Sequence, residues 1–321
     1  MFLIFQMLQL KWIFSTLLLI FGFGFCVLLL NIQNFCTTCR MIVYSSPTST
    51  SATESETFPL RTKIQCERNP PFLVLLVTTT YKQKEARNAI RQTWGKERQI
   101  GDLLISTYFL LGASANVTIQ EELIEESDTY NDIIQGDFRD TYYNLTLKTM
   151  MGIEWICAHC PQTKFVMKTD SDMFVNTGYL VELLVKKNQT TNFVTGSLRP
   201  DDVPIRNIHS KWYISETEYP LDQYPPFCSG TGYVFSVDVA QKIQNVSTTV
   251  PFFKLEDVYV GMCLEKLKIN LQDLHSRPTF FEYKKPFTVC GYRKLVTSHG
   301  FPPHEMYLLR DTLRRSEAER C

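Results

Sequence analysis

The chain has 321 residues, 44% of them hydrophobic and 21% charged, a globular composition long enough for one substantial domain. Lys plus Arg and Asp plus Glu both number 33, so the formal net charge is zero. Nothing in that balance favours polyanion binding, so any anionic ligand must be held by a local site.

Residues 1–11 precede an uncharged apolar run, WIFSTLLLIFGFGFCVLLL, at 12–30. As a helix these 19 residues span roughly 28 Å, the thickness of a bilayer's hydrocarbon core. The run exceeds the apolar core of a cleaved signal peptide, and no small-x-small cleavage pattern follows it. It is therefore expected to be a retained transmembrane signal anchor. Lys11 stands before it and the next basic residue is Arg40, which predicts a cytosolic tail at 1–11 and a type II orientation. Residues 31–65 read as a stem, because nine of the 13 residues in SSPTSTSATESET (45–57) are Ser or Thr and have no apolar side chains to pack.

A lumenal domain is expected over 66–321. Four N-x-S/T sequons lie there, at Asn116, Asn144, Asn188 and Asn245. Nine of the ten cysteines also follow the anchor, so an oxidising compartment would pair most of them into disulfides whose connectivity the sequence leaves open. Cys157 and Cys160 have C-x-x-C spacing, but no second ligand pair accompanies them to make a zinc site.

The apolar run FLVLLV (72–77), behind Pro70 and Pro71, predicts a strand buried on both faces. KEARNAIRQTW (84–94) has helical spacing, with Ala86, Ala89, Ile90 and Trp94 on one face. TYFLLG (107–112) predicts a second strand, 144–156 a helix, and KFVMKT (164–169) a further strand. Strands alternating with helices imply an α/β fold with a mostly parallel sheet, whose ligands sit at the carboxyl ends of the strands.

Asp170-Ser171-Asp172 leaves that last strand. Two carboxylates at i and i+2 there supply hard oxygen ligands for Mg²⁺ or Mn²⁺, and such an ion would bridge a diphosphate. Glu256-Asp257 opens a predicted helix, EDVYVGMCLEKL. Acidic residues at that place serve as caps or dipole partners, or one of them serves as a general base for a hydroxyl. Upstream, YPPFCSGTGY (224–233) reads as a loop fixed by two prolines and two glycines. His275 is a candidate metal-ligating imidazole and an ordinary structural one. Arg87 and Arg91, at i and i+4, suit phosphate or a solvated face, and Asp201-Asp202 reads as a polar loop.

In this order the blocks PPFLVLLVT, AIRQTWGKER, YYNLTLKTMMGIEW, FVMKTDSDMF, YPPFCSGTGYVFS and KLEDVYVG resemble the β-1,3-glycosyltransferases of glycosyltransferase family 31, and its galactosyltransferase branch in particular. The resemblance runs from about Cys66 towards the C-terminus. It implies a GT-A fold, a UDP-galactose donor, Mn²⁺ and inversion at the anomeric carbon. The implied acceptors are glycoprotein or glycolipid glycans ending in N-acetylglucosamine, with transfer to its O3. Localisation in the Golgi membrane follows from the same likeness, with a homodimer or a complex of Golgi enzymes as the assembly to look for.

Carried over by motif, Asp172 becomes the principal metal-binding carboxylate with Asp170 and His275 beside it, and Asp257 the general base. Asp170, Ser171, Arg87 and Arg91 would border the donor. Trp212, Ser229, Gly230, Thr231, Gly232, Tyr233 and Glu256 would line the donor–acceptor junction. The tail after Cys290, GYRKLVTSHGFPPHEMY, departs from the family pattern. A β-1,3-N-acetylglucosaminyltransferase of the same family is the nearest alternative. A non-catalytic lumenal chaperone or lectin is the alternative from another class.

Overall fold

The computed structural model describes Cys66, residues 69–96 and residues 98–321. The apolar run 12–30 and the Ser/Thr-rich segment 45–57 lie outside them, and among the described residues no helix is long and apolar enough to cross a membrane.

Strand β1 (Leu73–Thr78) is buried at every residue and sits at the centre of the main sheet. Its alternating side chains enter two separate cores: Leu73, Leu75 and Val77 on one face, Val74 and Leu76 on the other. That double burial explains why the predicted strand reads as an unbroken apolar run rather than an alternating one.

Helix α1 (Lys84–Gln92) follows through a 3-10 turn. The predicted face is the observed one, since Ala86, Ala89, Ile90 and Trp94 are all buried. Next come β2 (Arg98–Ile100), β3 (Leu103–Ala113), α2 (Val117–Tyr130), β4 (Ile133–Arg139), α3 (Leu145–His159), β5 (Phe165–Asp170), β6 (Met173–Val175), α4 (Thr177–Lys187) and β7 (Val194–Arg199). The chain continues through β8 (Phe227–Ser236), α5 (Val237–Ser247), α6 (Glu256–Leu267), α7 (Val289–Arg293), β9 (Thr297–His299) and α8 (Pro303–Arg315).

The main sheet runs β4-β3-β1-β5-β8-β7, with β2 paired to the start of β3. Strands β4, β3, β1 and β5 are parallel, whereas β8 is antiparallel to both β5 and β7. Helices α3, α5 and α6 cover one face, with Ile153, Ile156, Val239, Ile243, Val258 and Leu264 in its core. Helices α1, α4 and α8 cover the other with Ile90, Leu180, Leu184, Met306 and Leu309. This is the expected α/β layering, but the sheet is mixed rather than mostly parallel: three of its pairings are parallel and three antiparallel, because β2 and β8 run against their neighbours.

Another reading needs correction. YPPFCSGTGY is not a loop, because all of it from Phe227 onwards lies in β8. The glycines keep their role of close approach: a Cβ on Gly230 would come within 3.1 Å of the Glu256 carboxylate and 3.3 Å of Asp257.

A separate two-stranded sheet pairs β6 with β9 and sets Met173 opposite His299. Among the described residues two disulfides form, Cys66–Cys160 and Cys290–Cys321. The first takes one member of the C-x-x-C pair into a long-range bridge and leaves Cys157 a half-buried thiol. Asn116, Asn188 and Asn245 are exposed. Asn144 is the exception among the sequons. Its Nδ2, the atom a glycan would take, donates to the Arg139 carbonyl at 2.7 Å, and the sequon hydroxyl of Thr146 is buried against the Phe253 carbonyl.

Candidate active site

The carboxyl ends of β1, β3, β4 and β5 meet at one edge of the sheet. Thr78 and Asp170 are register partners there, and the Thr78 hydroxyl donates to Asp170 Oδ1 at 2.7 Å. Beside them, Lys148 of α3 donates to the Thr79 carbonyl and to Asp140 Oδ1 (2.6 Å), while the Gly112 amide donates to Asp140 Oδ2 at 3.0 Å. Burial pulls the Lys148 ammonium below its usual range and Asp140 opposes that pull. Sequence reasoning did not single out Lys148, Asp140 or Thr78. Their role comes from strands distant in sequence ending at one place.

Of the Asp-Ser-Asp motif, the two aspartates reach solvent and Ser171 is buried, so Ser171 is not positioned as a donor contact. The Asp172 side chain is 53% exposed and its Oδ2 lies 3.1 Å from His299 Nε2. Burial pushes the Asp172 carboxyl up, but the hydrogen bond and charge of His299 hold it below its ordinary value. The same hydrogen bond raises the His299 imidazole, against burial. The Asp172 carbonyl accepts from the Gly300 and Phe301 amides at 2.9 and 2.8 Å, which pins the motif to the end of β9.

His299 therefore stands where the sequence reading expected His275. His275 instead lies in a turn, where its Nδ1 accepts from the Arg277 amide at 3.0 Å. It lines a different cleft, against β7 and shared with Lys187, Arg277 and Thr279. The β6–β9 pairing carries His299 across 127 residues to Asp172.

The two arginines also need correction. Arg87 is fully buried and grips Glu126 with two parallel bonds of 2.8 and 2.6 Å. Arg91 binds Asp132 in the same way at 2.7 and 2.9 Å and packs over the Tyr130 ring at 4.0 Å. Guanidinium groups so occupied hold the fold and are not free for phosphate.

At the start of α6 the acidic pair divides. Leu255 is the residue before the helix, and no side-chain cap bond forms there, so the cap reading does not apply to Asp257. Its Oδ2 accepts from the Gly230 amide of β8 and its Oδ1 from the Val258 amide, both at 3.0 Å. Burial pushes the Asp257 carboxyl up to about 6, and the neighbouring charge of Glu256 adds to the push. Asp257, Trp212, Ser229, Arg199, Asp202 and Glu282 line a cavity of about 240 Å³. Asp202, read as plain loop, thus belongs to the site and pairs with Arg199 at 2.9 Å. Trp212 remains nearly half exposed.

Glu256 and Tyr233 are buried beneath this cavity and joined to each other at 2.5 Å. They support the junction and do not line it. The Ser229 and Thr231 hydroxyls lie 3.2 Å apart. The Thr231 carbonyl accepts from Thr169, and a Cβ on Gly232 would crowd Met167 and Thr169.

The family model described as Galactosyltransferase matches residues 85–275. The chain is 56% identical to β-1,3-galactosyltransferase 5 of Homo sapiens over 256 residues, covering 80% of this chain and 83% of that one. It is 54% identical to β-1,3-galactosyltransferase 5 of Mus musculus over 258 residues, covering 80% and 84%. The chain belongs to the galactosyltransferase family. To β-1,3-galactosyltransferase 2 of Homo sapiens it is 45% identical over 261 residues, covering 80% of this chain and 62% of that one. In this member of the family both aspartates of the Asp-Ser-Asp motif and the Glu-Asp pair fall inside the matched span, whereas the strand that carries His299 lies beyond it.

The donor set at Asp172 and His299 suits a divalent cation of the Mn²⁺ kind. A half-exposed, ionised carboxylate and an imidazole nitrogen already converge there. Among the described residues no group of three Asp, Glu, His or Cys side chains converges as a closed metal cage. The remaining ligands would have to come from a diphosphate and water, as is usual for hard cations in phosphate chemistry.

Proposed function

We infer that this chain is an inverting β-1,3-galactosyltransferase that moves galactose from UDP-galactose to O3 of a terminal N-acetylglucosamine. The observation that carries the reading is the separation of two carboxylate environments about one sheet edge. Asp172 is open and ionised beside His299, whereas Asp257 is buried with its carboxyl raised to about 6. An inverting displacement asks for such a pair: one centre to hold the leaving diphosphate, another to take the acceptor's proton from the opposite side.

Asp172 and His299 would hold Mn²⁺, with Asp170 kept in place by Thr78 and Lys168. Bound there, the ion would offset the charge that develops on UDP as it leaves. Asp257 accepts the proton of the attacking hydroxyl on its carboxylate, while the Gly230 and Val258 amides keep that carboxylate from turning away. Trp212 offers a ring face for an acceptor sugar, and Arg199, Asp202 and Glu282 offer hydrogen bonds to sugar hydroxyls at the cavity wall. The layering and the ligand edge fit the GT-A class.

The named relatives are galactosyltransferases, which does not favour the N-acetylglucosaminyl alternative. The intact carboxylate pairs speak against a chaperone or lectin role. The deciding experiment offers the purified enzyme UDP-galactose and UDP-N-acetylglucosamine, each with acceptors ending in N-acetylglucosamine. Galactose transfer in Mn²⁺ is expected, and exclusive use of UDP-N-acetylglucosamine would overturn the reading. A Golgi lumenal setting behind the anchor is part of the proposal. It is supported by the disulfides and the exposed sequons at Asn116, Asn188 and Asn245, and an unshifted mass after glycosidase treatment would count against it.

A further inference from the structure

Lys168 lies on β5 two residues before Asp170, on the same face of the strand. Its side chain is enclosed. A buried ammonium has three protons to place and is costly unless each finds an acceptor. Lys168 finds three: the Gly230 carbonyl at 2.6 Å, Asp170 Oδ1 at 2.9 Å and Glu256 Oε2 at 3.2 Å. Burial alone would lower its pKa, but the charges of Asp170 and Glu256 carry it above the usual range.

The three acceptors sit on three elements, and each leads to a different part of the site. Asp170 opens the Asp-Ser-Asp motif at the end of β5. Gly230 is in β8, and the same residue whose carbonyl binds Lys168 gives its amide to Asp257 Oδ2. Glu256 opens α6, directly before Asp257. Tyr233 is the register partner of Lys168 across the sheet, and its hydroxyl takes the other Glu256 oxygen at 2.5 Å. Lys168 and Tyr233 thus hold both oxygens of Glu256 from below.

We propose that Lys168 is a positioning residue of the transfer reaction: its ammonium ties Asp170, Gly230 and Glu256 together and so fixes the Asp257 carboxylate in the pose from which it takes the acceptor proton. The role given to Asp257 rests on the galactosyl-transfer reading; the contacts themselves do not.

The charges about Asp257 make the proposal measurable. On its own helix Glu256 faces it, and from β5 Lys168 does. Arg199 and Asp202 approach from β7 and the loop after it, Glu282 from the segment before α7, Tyr224 from the chain leading into β8, Cys228 and Tyr233 from β8, and Tyr142 from the turn before α3. Glu256 raises the Asp257 carboxyl, whereas Lys168 and the Gly230 amide lower it. Removing the ammonium must shift Asp257 up, and removing the Glu256 charge must shift it down. A side chain that served only to stabilise the fold would change yield and melting temperature and leave kcat of the folded fraction unaltered.

The test uses the full chain carrying ¹³C-carboxyl aspartate, with the Asp257 resonance assigned by its loss in Asp257→Asn. Titration of that resonance and kcat against pH are compared in wild type, Lys168→Met, Glu256→Gln and the double variant. In Lys168→Met the Asp257 midpoint should rise and kcat should fall by roughly tenfold to 10²-fold, the cost of a misplaced catalytic group. In Glu256→Gln the midpoint should fall, and in the double variant it should return towards wild type. An unmoved midpoint in folded Lys168→Met, or in Glu256→Gln where Lys168→Met does not fold, overturns the proposal. A wild-type enzyme that transfers no galactose would overturn the functional reading instead, and the titration shifts would still decide the positioning role.

Discussion

Asp172 and Asp257 are aspartates at the same edge of one sheet, and the fold gives them opposite surroundings. Asp172 leaves β5 into solvent, meets the His299 imidazole and is held below the usual carboxylate range. Asp257 is turned inward at the start of α6, caught by two backbone amides, with its carboxyl raised to about 6. A carboxylate that shares its lone pairs with a cation works best ionised and reachable. One that receives a proton works best with a pKa near the operating pH, and burial supplies that. The difference lies less in residue type than in which neighbour the chain brings up from far away: β9 for Asp172, β8 for Asp257.

The sharpest way to break this comparison is Asp257→Asn. It should lower kcat by roughly 10²–10⁴-fold, the span of general-base catalysis, while UDP affinity measured by calorimetry in Mn²⁺ stays unchanged. A variant with near-normal turnover would move the base elsewhere.

Next in size is Arg87→Ala. Taking the bidentate partner from Glu126, which then keeps only Arg91 at 2.8 Å, should cost about 2–3 kcal/mol in chemical denaturation, with the KM for donor unaltered in the folded fraction. A raised KM without a loss of stability would restore Arg87 to the donor pocket, where the sequence had placed it.

Smaller again is the loss of an imidazole. Asp172→Ala and His299→Ala should each weaken Mn²⁺-dependent UDP binding, by roughly 10–100-fold for the histidine on the scale of lost metal-site contacts, and leave metal-free UDP binding alone. His275→Ala should leave both unchanged. An equal loss from His275→Ala would return the role to the residue chosen on sequence alone.

These corrections show where sequence was legible. β1 and α1 were, because one is a continuous apolar run and the other a clean helical face, both short-range patterns. The Asp-Ser-Asp and Glu-Asp motifs stood out because each is contiguous and lies at the boundary of an element. The place of His299 beside Asp172 was not legible, since it comes from the β6–β9 pairing, which joins residues more than a hundred positions apart. Arg87 and Arg91 misled for a related reason: an i, i+4 cationic pair looks the same whether phosphate or a distant Glu126 and Asp132 awaits it. Lys168 stayed hidden as one residue inside the buried strand FVMKTD, overshadowed by the Asp-Ser-Asp motif that follows it. The sign was there, because a lysine inside a buried strand must have a partner, but the sequence does not say which carboxylates supply it.

The smallest expected effect concerns stability, and it runs against the first. A carboxyl whose pKa rises from 3.8 to about 6 on folding binds its proton more tightly in the folded state. Below the unfolded value both states are protonated and the group contributes nothing. Between that value and about 6 the folded state loses ground as pH rises, and above it the whole penalty is present, on the order of 3 kcal/mol for such a shift. Asp257→Asn removes the penalty. It also exchanges one of two carboxylate acceptors for an amide donor, so one of the bonds from Gly230 or Val258 is lost, at about 1 kcal/mol. The balance is a gain of about 2 kcal/mol at pH 7.5, read as a higher melting temperature. The gain should shrink as pH falls through 6 and reverse to a small loss near pH 4, where only the missing hydrogen bond remains. A helix-cap role would instead give a loss of about 1 kcal/mol at neutral pH. An Asn variant less stable than wild type at pH 7.5, by the same margin as at pH 4, would show that the fold favours the Asp257 carboxylate rather than tolerating it for catalysis.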